Sequence, residues 1–142
     1  MSKGDVYEND LLKLIFNATA IANVADNAAS SPITSLYVSL HTADPGEAGT
    51  QSTSEISYTG YARVAVARTT GGWTVTTNSV SPVANIDFGA CTAGSGTATY
   101  FGVGTLTSGT GKLLYSGAIS PSIAVSSGVT PRLTTASTVT ED

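Results

Sequence analysis

His41 is the only histidine in the sequence, so a catalytic triad or a general-base site would have to be built on it. It closes an alternating apolar run beside Thr42 and Asp44. One imidazole near one turn acid reads first as a structural or solvated group, and no Gly-x-Ser-x-Gly elbow accompanies it. Cys91 is the only cysteine, so no intramolecular disulfide can form, and one Cys with one His does not supply the clustered ligands of a structural zinc. Asp44, Glu47 and Glu55 share one loop, but their spacing matches no EF-hand, and they read as a solvated acidic loop. Gly102-Val103-Gly104 has the opening of a dinucleotide fingerprint without the third glycine or the following helix. These glycines read instead as a bulge or a close approach of backbone. Tyr58, Tyr61 and Trp73 are the aromatic residues that could stack on a sugar, as in carbohydrate-binding β-sandwiches, although their place in or beside alternating runs suits core packing better. The expectation is a non-enzymatic protein with no catalytic residue, metal set or cofactor.

The elements that would position these residues centre on 35–66, which reads as strand, long polar loop, strand. Leu36, Val38 and Leu40 alternate with Tyr37, Ser39 and His41, the pattern of a half-buried strand whose second face is polar. Thr42-Ala43-Asp44-Pro45-Gly46 stops that strand, and Ala62-Arg63-Val64-Ala65-Val66 reads as its antiparallel partner. Upstream, residues 1–30 form the one helical stretch. Leu11, Leu14, Ile15, Ala18, Ile21, Ala22 and Ala25 recur at three- and four-residue spacing, with Asn9 or Asp10 as N-cap. Such an amphipathic helix packs either on its own sheet or, as an arm, on a neighbour, and periodicity does not choose between them. Downstream the pattern is β throughout: Trp73–Thr77, an alternating run Ala84–Ala90, then Ala98–Thr105 turning through Ser108-Gly109-Thr110-Gly111 into Lys112–Ser116, with short strands at Ile119–Val125 and Thr138–Thr140. The predicted fold is all-β, an antiparallel β-sandwich or Greek-key barrel with one N-terminal amphipathic helix. It divides into a helical arm over 1–30 and a β-domain over 31–142.

Composition narrows the function classes. The chain has 142 residues, enough for one core without staples. Only 11% of them are charged, against about 25% in an ordinary soluble protein. A surface so poor in charge suits a protein that is covered in an assembly. Six basic residues and a net charge of −4 form no phosphate-binding patch, which argues against nucleic acid. No run approaches the ~20 apolar residues of a membrane span, and no signal peptide is visible, so synthesis in a cytoplasm is expected.

Four stretches together carry a resemblance: Leu36–Thr50, Tyr58-Thr59-Gly60-Tyr61-Ala62-Arg63, Tyr100-Phe101-Gly102-Val103-Gly104-Thr105, and Gly111-Lys112-Leu113-Leu114-Tyr115-Ser116-Gly117. With them the chain resembles a family of short structural proteins of tailed-bacteriophage virions, described as tail-fibre-like or as capsid decoration (cement) proteins. The resemblance implies a compact β protein in the virion. The short, repeat-free, weakly charged chain suits decoration of the capsid surface as a homotrimer bound to the major capsid protein, with Leu11, Ile15 and Phe16 of the helix and Asp44, Pro45 and Glu47 of the loop as contacts. The alternative is a tail-associated module that grips host glycan through Tyr58, Tyr61 or Trp73.

Overall fold

A computed structural model describes residues 5–21 and 33–141. Among these described residues one helix, α1 (Asp5–Asn17), precedes nine strands: β1 (Ser35–His41), β2 (Val64–Ala67), β3 (Trp73–Thr76), β4 (Ser79–Pro82), β5 (Ile86–Asp87), β6 (Gly96–Gly104), β7 (Leu113–Val125), β8 (Arg132–Leu133) and β9 (Val139–Thr140). The all-β class with one N-terminal helix is as the sequence predicts. Contacts group the chain into two compact units: residues 1–35, 66–85 and 134–142 in the first, and 36–65 and 86–133 in the second.

In the first unit α1 lies against β3 and β4, whose three-stranded sheet runs β3-β4-β9 with both pairings antiparallel. A two-residue connection joins β3 to β4 and places Thr77 at φ 54°. The buried stripe of α1 is Glu8, Leu12 and Phe16, an i, i+4 row rotated from the predicted face by about one residue. Phe16 sets that rotation by meeting Trp73 edge to face, ring centroids 4.7 Å apart, so Leu12 turns inward and Leu11 and Ile15 stay partly exposed. The helix is already formed at Asp5, so Asn9 and Asp10 lie inside it and neither is its N-cap. At its other end Ala18 takes φ 54°, and the Arg68 guanidinium donates to the Leu14 and Ile15 carbonyls. Those carbonyls have no partner within the helix, and a cation there also complements the dipole. The predicted helix positions Ala18 and Ile21 lie beyond its end at Asn17 and are not helical, while Ala22 and Ala25 lie outside the described residues.

The second unit holds most of the four-stranded sheet, ordered β2-β1-β6-β7. β1 and β6 are antiparallel with Val38 opposite Val103, and β6 and β7 form the predicted hairpin, in which Gly104 faces Leu113. The two runs expected on either side of residue 117 join into one 13-residue strand, β7. A two-stranded pairing of β5 with β8 completes the unit. Leu36, Val38, Leu40, Ile56, Phe88, Cys91, Ala98, Val103 and Leu133 are buried, and each large apolar member contributes about 1.5–3 kcal/mol by leaving water.

Two expectations change here. The Ala84–Ala90 run keeps its alternation at Ile86, Asp87, Phe88 and Gly89, but only Ile86–Asp87 forms a ladder. Beyond it Phe88 and Cys91 donate singly to the Pro131 and Val129 carbonyls. The second face of β1 is also not solvated. Ser39 and His41 are fully buried, because the long loop after β1 folds back over them.

Candidate functional site

The loop 42–63 is the most heavily bonded irregular segment of the second unit. It leaves β1 through a tight turn in which the Gly46 N–H donates to Asp44 Oδ1 at 2.9 Å, the self-bonding expected of Asp before Pro-Gly. It returns alongside β1, where Thr42 N–H reaches the Ser54 carbonyl and Ile56 N–H the Leu40 carbonyl. Three side chains then fasten it to its surroundings.

Gln51 is fully buried. Its Oε1 accepts from the Leu106 N–H at 2.9 Å, its Nε2 donates to the Tyr37 carbonyl at 3.4 Å, and its own N–H donates to the Gly111 carbonyl. The amide fills the space over Gly104, where an added Cβ would stand 2.2 Å from Gln51 Cδ. This is the close approach that the Gly102-Val103-Gly104 motif signals, made to a side chain and not to a phosphate.

Arg63 is the second fastener, buried just before β2. Its Nε and Nη2 grip the Glu55 carboxylate bidentately at 2.7 Å each. Nη1 donates to the Leu106 carbonyl and Nη2 to the Gly109 carbonyl, so one guanidinium ties the loop to the β6–β7 turn. Nη2 also donates to the Ser52 hydroxyl at 3.4 Å, and the planar fork suits this many-sided role. Tyr61 adds to the same carboxylate, donating to Glu55 Oε1 at 2.8 Å while accepting from the Leu40 N–H. Burial, with the Glu55 charge adding to it, holds the Tyr61 phenol well above its ordinary range.

His41 is the third. Its Nδ1 lies 2.8 Å from the Thr53 carbonyl, which only accepts, so Nδ1 carries the proton and Nε2 accepts from the Ser39 hydroxyl at 2.8 Å. A Ser-His pair is thus present, but both residues are fully buried and the imidazole serves as a strut. Burial lowers its pKa below the ordinary value, against the opposing effects of the Thr53 bond and the Glu55 charge. The unfolded chain therefore binds a proton more readily than the folded one. Stability is expected to be undiminished above about pH 6.5 and to fall as the pH drops below it. Urea unfolding compared at neutral and mildly acidic pH checks this, and a His41→Gln variant is expected to lose that part of the dependence.

Between the turn over residues 44–49 and strand residues 113–116 lies an open cleft of about 370 Å³. Asp44 and Glu47 are exposed on its rim. A second, smaller hollow of about 280 Å³ opens beside Glu55, Tyr61 and Arg63, whose polar atoms are already engaged in the clamp.

The structure sorts the residues singled out from sequence. Phe16, expected at an assembly contact, is spent in the core against Trp73; Leu11 and Ile15 keep part of their surface. Pro45 is buried, while Asp44 and Glu47 stand at the cleft. The three aromatics do not make a sugar platform. Trp73 is 3% exposed, Tyr58 is buried with its hydroxyl donating to the Gly89 carbonyl, and the Tyr61 ring stacks on Phe88 while its edge meets Tyr58. Sequence reasoning passed over Gln51 and the Glu55–Arg63 pair. The available signal was an acid and an arginine eight residues apart in a chain with few charges. No group of three or more metal-ligating side chains occurs among the described residues, and none of their helices is long and apolar enough to cross a membrane.

A family model described as Podophage GP4 fiber I protein gp80 matches residues 3–141. No curated protein matches the sequence.

Proposed function

The chain belongs to the podophage fibre I protein family, a family of phage virion structural proteins, and from that premise we propose that it is a non-enzymatic structural module of a virion fibre. It works by holding a rigid surface against neighbouring subunits. The observation that carries this reading is the clamped loop. Gln51, Glu55, Arg63 and His41 fix a polar loop to the β6–β7 turn and to β1, and Asp44 and Glu47 at its tip stay exposed. Such preorganisation lowers the ordering cost of contact. The commitment of both His41 ring nitrogens to structural bonds supports the non-enzymatic part.

A second reading, decoration of the capsid as a trimer bound to the major capsid protein, is favoured by one observation: these 142 residues carry no internal repeat, unlike a fibre shaft. Both readings place the chain in the particle. Mass spectrometry of density-purified virions is expected to find it at a fixed ratio to the major capsid protein, and its loss on purification would contradict both.

A further inference from the structure

We propose that Ser39, His41 and the Gly102 carbonyl form a proton-operated relay that keeps the 42–63 loop fastened to β1 when the imidazole takes up a second proton, a device that deepens the structural role above and rests on it. The Thr53 carbonyl only accepts, so it holds a proton on Nδ1 in either state of the ring. A proton arriving from solvent therefore goes to Nε2, which lies 2.8 Å from the Ser39 hydroxyl. That hydroxyl has a second partner. Its oxygen stands 3.4 Å from the Gly102 carbonyl, which also only accepts. While the ring is neutral, one hydroxyl proton faces two acceptors and goes to Nε2, the shorter contact. Once Nε2 carries its own proton, the Ser39 oxygen accepts from it and the hydroxyl proton turns to Gly102. Each arrangement satisfies both ring nitrogens, and rotation about one C–O bond interconverts them.

The surroundings are shaped for this exchange. Ser39 and His41 are fully buried, and an imidazolium N–H left without a partner there would cost more than a neutral group. The ladder between β1 and β6 sets Ser39 opposite Gly102. A Cβ on Gly102 would stand 2.7 Å from His41 Nε2 and 2.8 Å from Ser39 Oγ. The residue that lends its carbonyl thus also leaves the room in which the hydroxyl turns. Burial disfavours the imidazolium; of the charged groups facing it from the loop, Glu55 favours protonation and Arg63 opposes it, and those two are paired with each other. On β6, Tyr100 stands opposite His41. Stability still falls in acid as described above. The relay limits that fall, because the loop loses no bond when the proton arrives.

The test follows the full chain by NMR and by urea unfolding. Ser39→Ala removes only the hydroxyl. Because Ser39 serves the charged ring as an acceptor, its loss is expected to move the His41 titration midpoint to lower pH by about half a pH unit or more, since a hydrogen bond to a charged group outweighs one to a neutral group. A hydroxyl that only donates to the neutral ring would give the opposite sign. The urea midpoint of Ser39→Ala is expected to drop below that of the unaltered chain by about twice as much just below the His41 midpoint as at about pH 8. In the unaltered chain, the Gly102 carbonyl carbon resonance is expected to move downfield with the same midpoint as the His41 ring as it gains a hydrogen bond. That reading requires no variant to fold. A His41 midpoint that stays or rises in Ser39→Ala, a Gly102 resonance that ignores the titration, or unfolding of the unaltered chain as soon as His41 is protonated would each overturn the relay. None of these results alters whether the chain is found in the virion, so failure here is separable from failure of the structural role.

Discussion

Replacing Arg63 by alanine is expected to destabilise the second unit by about 3 kcal/mol, the lower end of the cost of breaking a buried ion pair from one side. The lower end applies because the Glu55 side chain keeps 18% of its surface in water and is not stranded in a dry interior. Five acceptors lose a donor together: the two Glu55 oxygens, the Leu106 and Gly109 carbonyls and the Ser52 hydroxyl. Tyr61 alone remains to hold the carboxylate. Arg63→Lys should recover only part of the loss, since an ammonium cannot span the fork and both carbonyls. Changing both partners, Arg63→Met with Glu55→Gln, should cost less than Arg63→Ala alone, because no unpaired charge is left behind. Urea unfolding followed by far-UV circular dichroism measures each. A loss below about 1 kcal/mol for Arg63→Ala would place the pair with ordinary surface ion pairs and remove the clamp.

Gly60→Ala is expected to cost as much by a different route. Gly60 sits at φ +103°, and a Cβ there would lie 2.2 Å from the Ala90 carbonyl oxygen. That neighbour is backbone and cannot swing away. Left-handed strain of about 1–2 kcal/mol adds to overpacking of about 1–3 kcal/mol. Gly46→Ala provides the contrast, because Gly46 is also left-handed, at φ +70°, but has nothing within 4 Å of the added atom. It is expected to show the strain alone, about 1–2 kcal/mol. Equal losses at the two positions, measured in the same unfolding assay, would mean that the crowding at Ala90 does not matter.

What the sequence disclosed depended on whether a signal was local. Period-two alternation at Leu36, Val38 and Leu40 located β1, and the Ser108–Gly111 turn located the β6–β7 hairpin, because both are set by neighbours along the chain. The same alternation misjudged Ser39 and His41. Their burial comes from a loop folding back from beyond residue 50, and nothing within the strand encodes it. Helix α1 failed similarly at one detail: propensity and spacing found it, while Trp73, far along the sequence, decides that Leu12 and Phe16 face inward. The run at 84–90 kept its period yet made a ladder over two residues only, since a ladder requires a partner in register. The clamp was the least visible feature. A bidentate pair closing a loop depends on three-dimensional convergence, and Gln51 carries no pattern of its own. The glycines at 102 and 104 did mark a close approach, without saying what approaches.

Gold-conjugated antibody raised against this chain, applied to intact podophage particles, is expected to label the fibre-bearing end of the virion. Label spread over the head lattice would contradict the fibre reading and establish the capsid-decoration role in its place, and particles without label at any accessible site would contradict a surface structural role altogether.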